Sequence, residues 1–192
     1  DSNKDGYANA RQTIAVTAIT HQGDQSWYAE PGANILVAAH SDGDGEGITT
    51  TDIEGSSGYT NNDYTDDFGG TSSATPLASG VIALMLEANA NLTWRDVQHI
   101  LVHSSRKNDP NDNSWNVNGA GHDVSHKYGF GAVDAGHAVA ITENWTLVNQ
   151  AINVTSNTRT IDTDIPDNSA QGVSDTVTIN DGLKIEHVEV YV

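Results

Sequence analysis

The sequence predicts an α/β domain followed by an all-β segment. Three observations carry that expectation. Two short, nearly continuous apolar runs near the start suit parallel strands covered on both faces. A long apolar stretch in the middle has the length and small-residue content of a helix pressed into a core. Beyond about residue 149 apolar and polar side chains alternate at the period of a strand, with turn signals between the runs.

The strands are Thr13–Ile19 and Ile35–Ala39. A polar stretch rich in Asp, Gly, Ser and Thr, from Ser41 to Gly70, reads as surface loop with a hairpin around Ile48 to Ile53. Ser72 to Asn89 is the long helix, with Pro76 in its first turn, where a missing N–H costs least. Leu77, Val81, Ile82, Leu84, Met85 and Leu86 make it apolar almost all round, which predicts burial on every side. Thr93-Trp94-Arg95-Asp96 is a capping box opening a second helix that ends near Ser104-Ser105. Gly131 to Ile141 reads as a third, shorter helix. Alternating runs such as Thr176–Ile179 and Ile185–Val192 supply the β segment, and the boundary falls between 147 and 148.

Composition narrows the function. The formal net charge of −18 repels nucleic acid and anionic membrane and favours cations or basic substrates; it also suits plain solvation in a salty or calcium-rich medium. No cysteine is present, so disulfides, Cys-based zinc sites and a thiol nucleophile are excluded. No apolar run of about 18 residues offers a membrane span. The opening Asp1-Ser2-Asn3-Lys4-Asp5-Gly6 is no signal peptide, and the closing strand pattern stops without a turn, so both ends read as cut.

The strongest chemical signal is Gly70-Thr71-Ser72-Ser73-Ala74-Thr75-Pro76, joined directly to the long helix. A serine there sits beside unpaired backbone N–H groups and the positive end of the helix dipole, which can stabilise an oxyanion. The same serine could equally cap an ordinary core helix.

Gly70-Thr71-Ser72-x-Ala74-x-Pro76 resembles the nucleophile motif of the subtilisin superfamily. The segment Leu86 to Gln98 narrows the resemblance to the kexin/furin-like proprotein convertases. Trp27-Tyr28-x-Glu30, Asp5-Gly6-Tyr7-x-Asn9, Tyr128-Gly129-Phe130-Gly131 and Asn144-Trp145-Thr146 are similar to the same family, in the same order. Ile165-Pro166-Asp167-Asn168 and Lys184 to Val188 resemble the opening of its P domain. The resemblance implies an α/β subtilisin-like fold (partial, residues 1–147), followed by a partial all-β jelly-roll P domain (148–192). It implies a secreted or periplasmic, calcium-stabilised serine endopeptidase acting on protein or peptide substrates with basic P1 residues.

By the same resemblance Ser72 is the catalytic nucleophile, and Asp5 and Tyr7 contact substrate, Asp5 facing a basic P1 side chain. Asp1 and Glu30 are the ligands of a Ca2+ ion, hard oxygen donors of the kind it takes. Two departures stand out: the Asp1-to-Asp5 spacing is one residue short of the furin pattern, and Phe68 stands where familiar convertases carry histidine. Asp1-x-Asn3-x-Asp5-Gly6 also admits an EF-hand-like calcium loop, although Gln12 occupies its twelfth position. Subtilisin-type order places the histidine base roughly 150 residues before the serine. His21 and His40 are therefore too close to serve, and the chain is expected to lack the catalytic Asp and His and to be inactive alone. The rival expectations are a catalytically inactive binding or structural module, and a calcium-binding adhesion module.

Overall fold

The computed structural model describes residues 2–182 and 184–190. The chain divides into two compact units, Asp1–Val148 and Asn149–Val192.

In the first unit β1 (Ala15–Ile19) and β2 (Ile35–His40) pair in parallel, with Val16 opposite Val37 and Ile19 opposite His40. Burial explains their composition: Ala18, Ile19, Val37, Ala38 and Ala39 are fully enclosed, so neither strand can alternate apolar with polar. A third extended segment adds to this sheet where the sequence predicts helix. Ala38 donates its N–H to Gly131 at 2.8 Å, and Val133 donates back to the Ala38 carbonyl at 2.9 Å. Ala132 also bridges Arg106. These ladder bonds hold 131–133 extended, so the third helix, α3, is displaced to Ala135–Glu143, with Asp134 accepting the His137 N–H as its cap at 2.9 Å.

The hairpin expected within Ile48–Ile53 is wider. β3 (Ile48–Thr51) pairs antiparallel with β4 (Tyr64–Phe68), Ile48 facing Phe68. Asp52 closes the long connection, accepting the N–H groups of Ile53 and Thr60, each at 2.8 Å.

α1 (Thr71–Ala88) matches its expected span to one residue at each end, and α2 (Trp94–Ser104) begins behind the Thr93–Asp96 capping box. Because α1 starts at Thr71, Pro76 lies beyond the first turn and cannot donate to the Ser72 carbonyl, unlike the position expected for it. The prediction of burial all round α1 is corrected as well. Ser73, Ala74, Ala78, Val81 and Met85 are buried, but Leu77, Leu84 and Leu86 are 39%, 47% and 41% exposed. Apolar side chains cover the whole helix, yet β1, β2 and α3 meet only part of its circumference. Met85, Val81, Val37, Ile100, Leu101 and Ala138 form the main core. Nearer the helix start, Ala74 meets Ala18 and Ala39, and three methyl side chains let α1 approach the sheet closely.

In the second unit the expected partial jelly roll is not formed among the described residues, which include no paired strand. Alternation supplies a strand with a face, but a ladder needs partner edges and a buried side; Val177 and Ile179 stay 48% and 55% exposed. Arg159 pairs with Asp175 at 2.7 Å and donates to the Thr176 carbonyl at 2.6 Å. The run expected to close as Tyr191-Val192 lies outside the described residues. No helix of the described residues is long and apolar enough to cross a membrane.

Candidate active site

The chain enters α1 through Gly70, whose φ of 75° and ψ of 173° fall in a region that only glycine adopts without strain. That turn delivers Ser72 to the first turn of the helix with its side chain exposed. The helix N-terminus places the positive end of its dipole beside the serine. Ser73, its neighbour, points inward and is only 4% exposed.

The end of β2 holds this turn from beneath. Ser41 Oγ donates to the Gly70 carbonyl at 2.7 Å and lies 2.6 Å from Ser73 Oγ. Ser73 also returns its own N–H to the Gly70 carbonyl at 3.1 Å. Ser41 is itself fixed by its N–H to the Ile19 carbonyl at 2.8 Å, which ties the serine loop to the carboxyl ends of both parallel strands. Sequence reasoning missed Ser41 and Ser73. The adjacent Ser72-Ser73 pair is one signal for them: one hydroxyl faces out and the next must find a buried partner.

The other expected residues stand elsewhere. Asp5 Oδ1 accepts the N–H groups of Tyr7 and Ala8 at 2.9 and 2.7 Å, so its carboxylate shapes the turn that carries it. Tyr7 is 82% exposed. Asn34 anchors this turn, donating to the Ala8 and Ser2 carbonyls at 3.1 and 3.3 Å and accepting from Ser2 Oγ at 2.7 Å. Asn34 precedes β2 and Ser41 follows it, so the Asp5 turn and the Ser72 turn are secured at opposite ends of that strand. The structure therefore does not bring Asp5 and Ser72 into contact.

Asp1 lies outside the described residues, and Glu30 is exposed. Their chain neighbours meet, Ser2 donating its N–H to the Pro31 carbonyl at 3.4 Å. The Glu30 carboxylate is a hard oxygen donor of the kind Ca2+ takes. Among the described residues no three His, Cys, Asp or Glu side chains gather into a metal-binding group. His40 is occupied with the Thr20 carbonyl at 2.8 Å. Phe68 ends β4, 37% exposed, four positions before Ser72. Trp115 stacks on buried Tyr128, their ring centroids 5.4 Å apart.

A serine raised on a glycine turn at the carboxyl ends of parallel strands, heading a helix packed on them through alanines, defines a subtilisin-like serine-protease domain. The chain belongs to the subtilase family, whose model matches residues 4–131. Within that family its sequence is of the kexin/furin type. It is 43% identical over 148 residues to furin of Rattus norvegicus and of Homo sapiens, covering 76% of this chain. It is 41% identical over 172 residues to proprotein convertase subtilisin/kexin type 5 of Homo sapiens, covering 88%. The chain spans only 18% and 9% of the length of these relatives. Among solved structures it resembles the serine protease of Aeromonas sobria, with a TM-score of 0.67 and 27% identity over 74% of this chain and 32% of that one. A protease of Pseudoalteromonas arctica shares the fold, with a TM-score of 0.54 and 24% identity over 71% of this chain and 38% of the other.

Proposed function

We propose that the protein is a serine endopeptidase in which Ser72 is the nucleophile, and the exposed placement of Ser72 behind the Gly70 turn carries this reading. The Ser72 hydroxyl attacks the carbonyl carbon of a scissile peptide bond, and its proton passes to a histidine base supplied from outside these 192 residues. The base hands that proton to the departing amine as the C–N bond breaks, leaving an ester on Ser72. Water then attacks the ester, its proton again taken by the base, releasing the acid and restoring the serine. The positive end of the α1 dipole beside Ser72 would favour the oxyanion as it develops.

Substrates in this reading are proteins or peptides with basic residues at P1. The net charge of −18 and the furin-like motifs support that preference. Asp5 is assigned to the P1 side chain on its motif and charge, not on proximity to Ser72. Glu30 and Asp1 would hold a Ca2+ ion that stabilises the fold around the Asp5 turn. Residues 148–192 are assigned to the start of a P domain. The 88% coverage in the match to the type 5 convertase supports this, being more than the first unit alone supplies. A secreted or periplasmic location follows from the same kinship.

The test is labelling of the full-length gene product with a fluorophosphonate, alongside hydrolysis of a peptide with arginine at P1. Labelling and turnover that both vanish in Ser72→Ala are expected. Full retention of either would remove Ser72 from the chemistry, and a wild-type protein that binds peptide without labelling would favour an inactive binding module.

A further inference from the structure

Asp42 follows β2 and lies directly beneath the turn that presents Ser72. Its Oδ1 accepts the Gly70 N–H at 2.6 Å and the Tyr28 hydroxyl at 2.5 Å, and the Ser41 oxygen lies 3.2 Å away. Nothing of the family motifs singles this residue out. We propose that Asp42 is a positioning residue for the nucleophile: its carboxylate, aimed by Tyr28, grips the Gly70 amide and so fixes the peptide from which α1 carries Ser72. The proposal rests on Ser72 being the nucleophile.

Gly70 is held on both of its polar groups, and this is what separates the arrangement from an ordinary loop closure. Asp42 takes its N–H, while the Ser41 hydroxyl and the Ser73 N–H bond its carbonyl. The three hydroxyl protons can be assigned without conflict: Tyr28 to Asp42, Ser41 to the Gly70 carbonyl, and Ser73 to Ser41 Oγ. With φ at 75°, Gly70 sits where only glycine is unstrained, and fixing both its peptides removes its conformational freedom. Gly69 makes room for the carboxylate, since a Cβ there would lie 2.1 Å from Asp42 Cγ. Ser26 completes the seat, donating to the Asp42 carbonyl at 2.8 Å.

Charge suits the task. Burial pushes the Asp42 carboxyl up, but hydrogen bonds from Tyr28, Gly70 and Ser41 outweigh it and hold the group below its ordinary value. Asp42 is therefore an ionised, acceptor-only group facing two donors, the Gly70 N–H and the Tyr28 hydroxyl, and charge-assisted bonds of this kind are roughly twice as strong as neutral ones. Displacement of a nucleophile by about 1 Å can cost on the order of 100-fold in rate.

The experiment measures the rate of fluorophosphonate labelling, kcat and KM for a basic-P1 peptide, and Tm in the full-length protein. Asp42→Ala is expected to slow labelling and kcat by about 10- to 100-fold while KM moves by less than about 3-fold. Asp42→Asn keeps an acceptor oxygen in place and is expected to restore labelling to within about 5-fold of the parent. Parental labelling in a folded Asp42→Ala protein overturns the proposal, as does an Asp42→Asn protein that folds and is no better than Asp42→Ala. Should Asp42→Ala not fold, Tyr28→Phe keeps the ring and removes the donor that aims the carboxylate; it is expected to slow labelling, and an unchanged rate overturns the proposal. Ser72→Ala distinguishes the two levels. If it still labels, the nucleophile assignment has failed; if it does not and Asp42→Ala labels normally, only the positioning role has.

Discussion

The Asp96 carboxylate accepts the indole N–H of Trp145 at 2.9 Å, across 49 positions of sequence. The same oxygen takes the Val148 N–H at 2.7 Å, and the other takes the Thr93 N–H at 2.8 Å within the capping box. One fully buried side chain thus caps α2 and clasps the last residues of the first unit. Asp96→Ala strips partners from the Trp145 indole and the Val148 and Thr93 amides, and is expected to cost about 3 kcal/mol. A Tm about 10 °C below the parent by circular dichroism is the expected reading; a change under 2 °C would show that water replaces the carboxylate without loss.

Acid should act through the same residue. Burial raises the Asp96 carboxyl, but hydrogen bonds from Thr93, Val148 and Trp145 outweigh it and bring it to about 2, from 3.8. A carboxyl depressed in the folded state stabilises above its unfolded value and loses that contribution as pH falls through the folded one. Asp96 therefore contributes about 2 kcal/mol above pH 4, lost on acidification toward pH 2. Asp112, paired with Lys127 at 2.6 Å, is also held at about 2 and acts in the same sense. Thermal unfolding followed from pH 7 to pH 2 should show Tm falling over this window, and more shallowly in Asp96→Ala.

The two sides of α1 should answer differently to truncation. Met85 is completely enclosed, so Met85→Ala in this 192-residue chain is expected to cost 2 to 5 kcal/mol, the ordinary range of about that size for a core cavity. Leu84, one position away and 47% exposed, should cost less than about 1 kcal/mol. Equal losses in a urea titration would mean that both faces of the helix are covered in solution.

Calcium offers a third handle on stability. If Glu30 holds the ion, adding millimolar-range Ca2+ raises Tm and a chelator reverses the gain. Glu30→Gln should abolish the calcium-dependent part of the Tm. A calcium shift that survives in Glu30→Gln would move the site elsewhere.

Specificity tests Asp5. Asp5→Asn keeps an oxygen for the Tyr7 and Ala8 amides and so preserves the turn, but removes the charge. In the full-length protein kcat/KM for arginine at P1 is expected to fall at least about 10-fold relative to leucine at P1. An unchanged ratio would take Asp5 out of the P1 pocket, in keeping with its anchorage at the far end of β2 from Ser72.

By itself the sequence determined what depends on neighbours along the chain. The apolar runs of β1 and β2, the spans of α1 and α2 and the Thr93–Asp96 box are all set by residues a few positions apart, and all are found in the structure. Ser72 is singled out for the same reason, through the compact motif around it. Tertiary structure decided what requires a distant partner. Gly131–Val133 became extended because Ala38 and Arg106 offered ladder bonds, and the exposed side of α1 followed from which elements reach it. The grip of Asp42 and Ser41 on Gly70 joins residues 28 and 29 positions apart, a separation at which no local pattern survives. Short-range preferences fix segments, whereas the bonds that aim a reactive side chain close only when remote segments have packed.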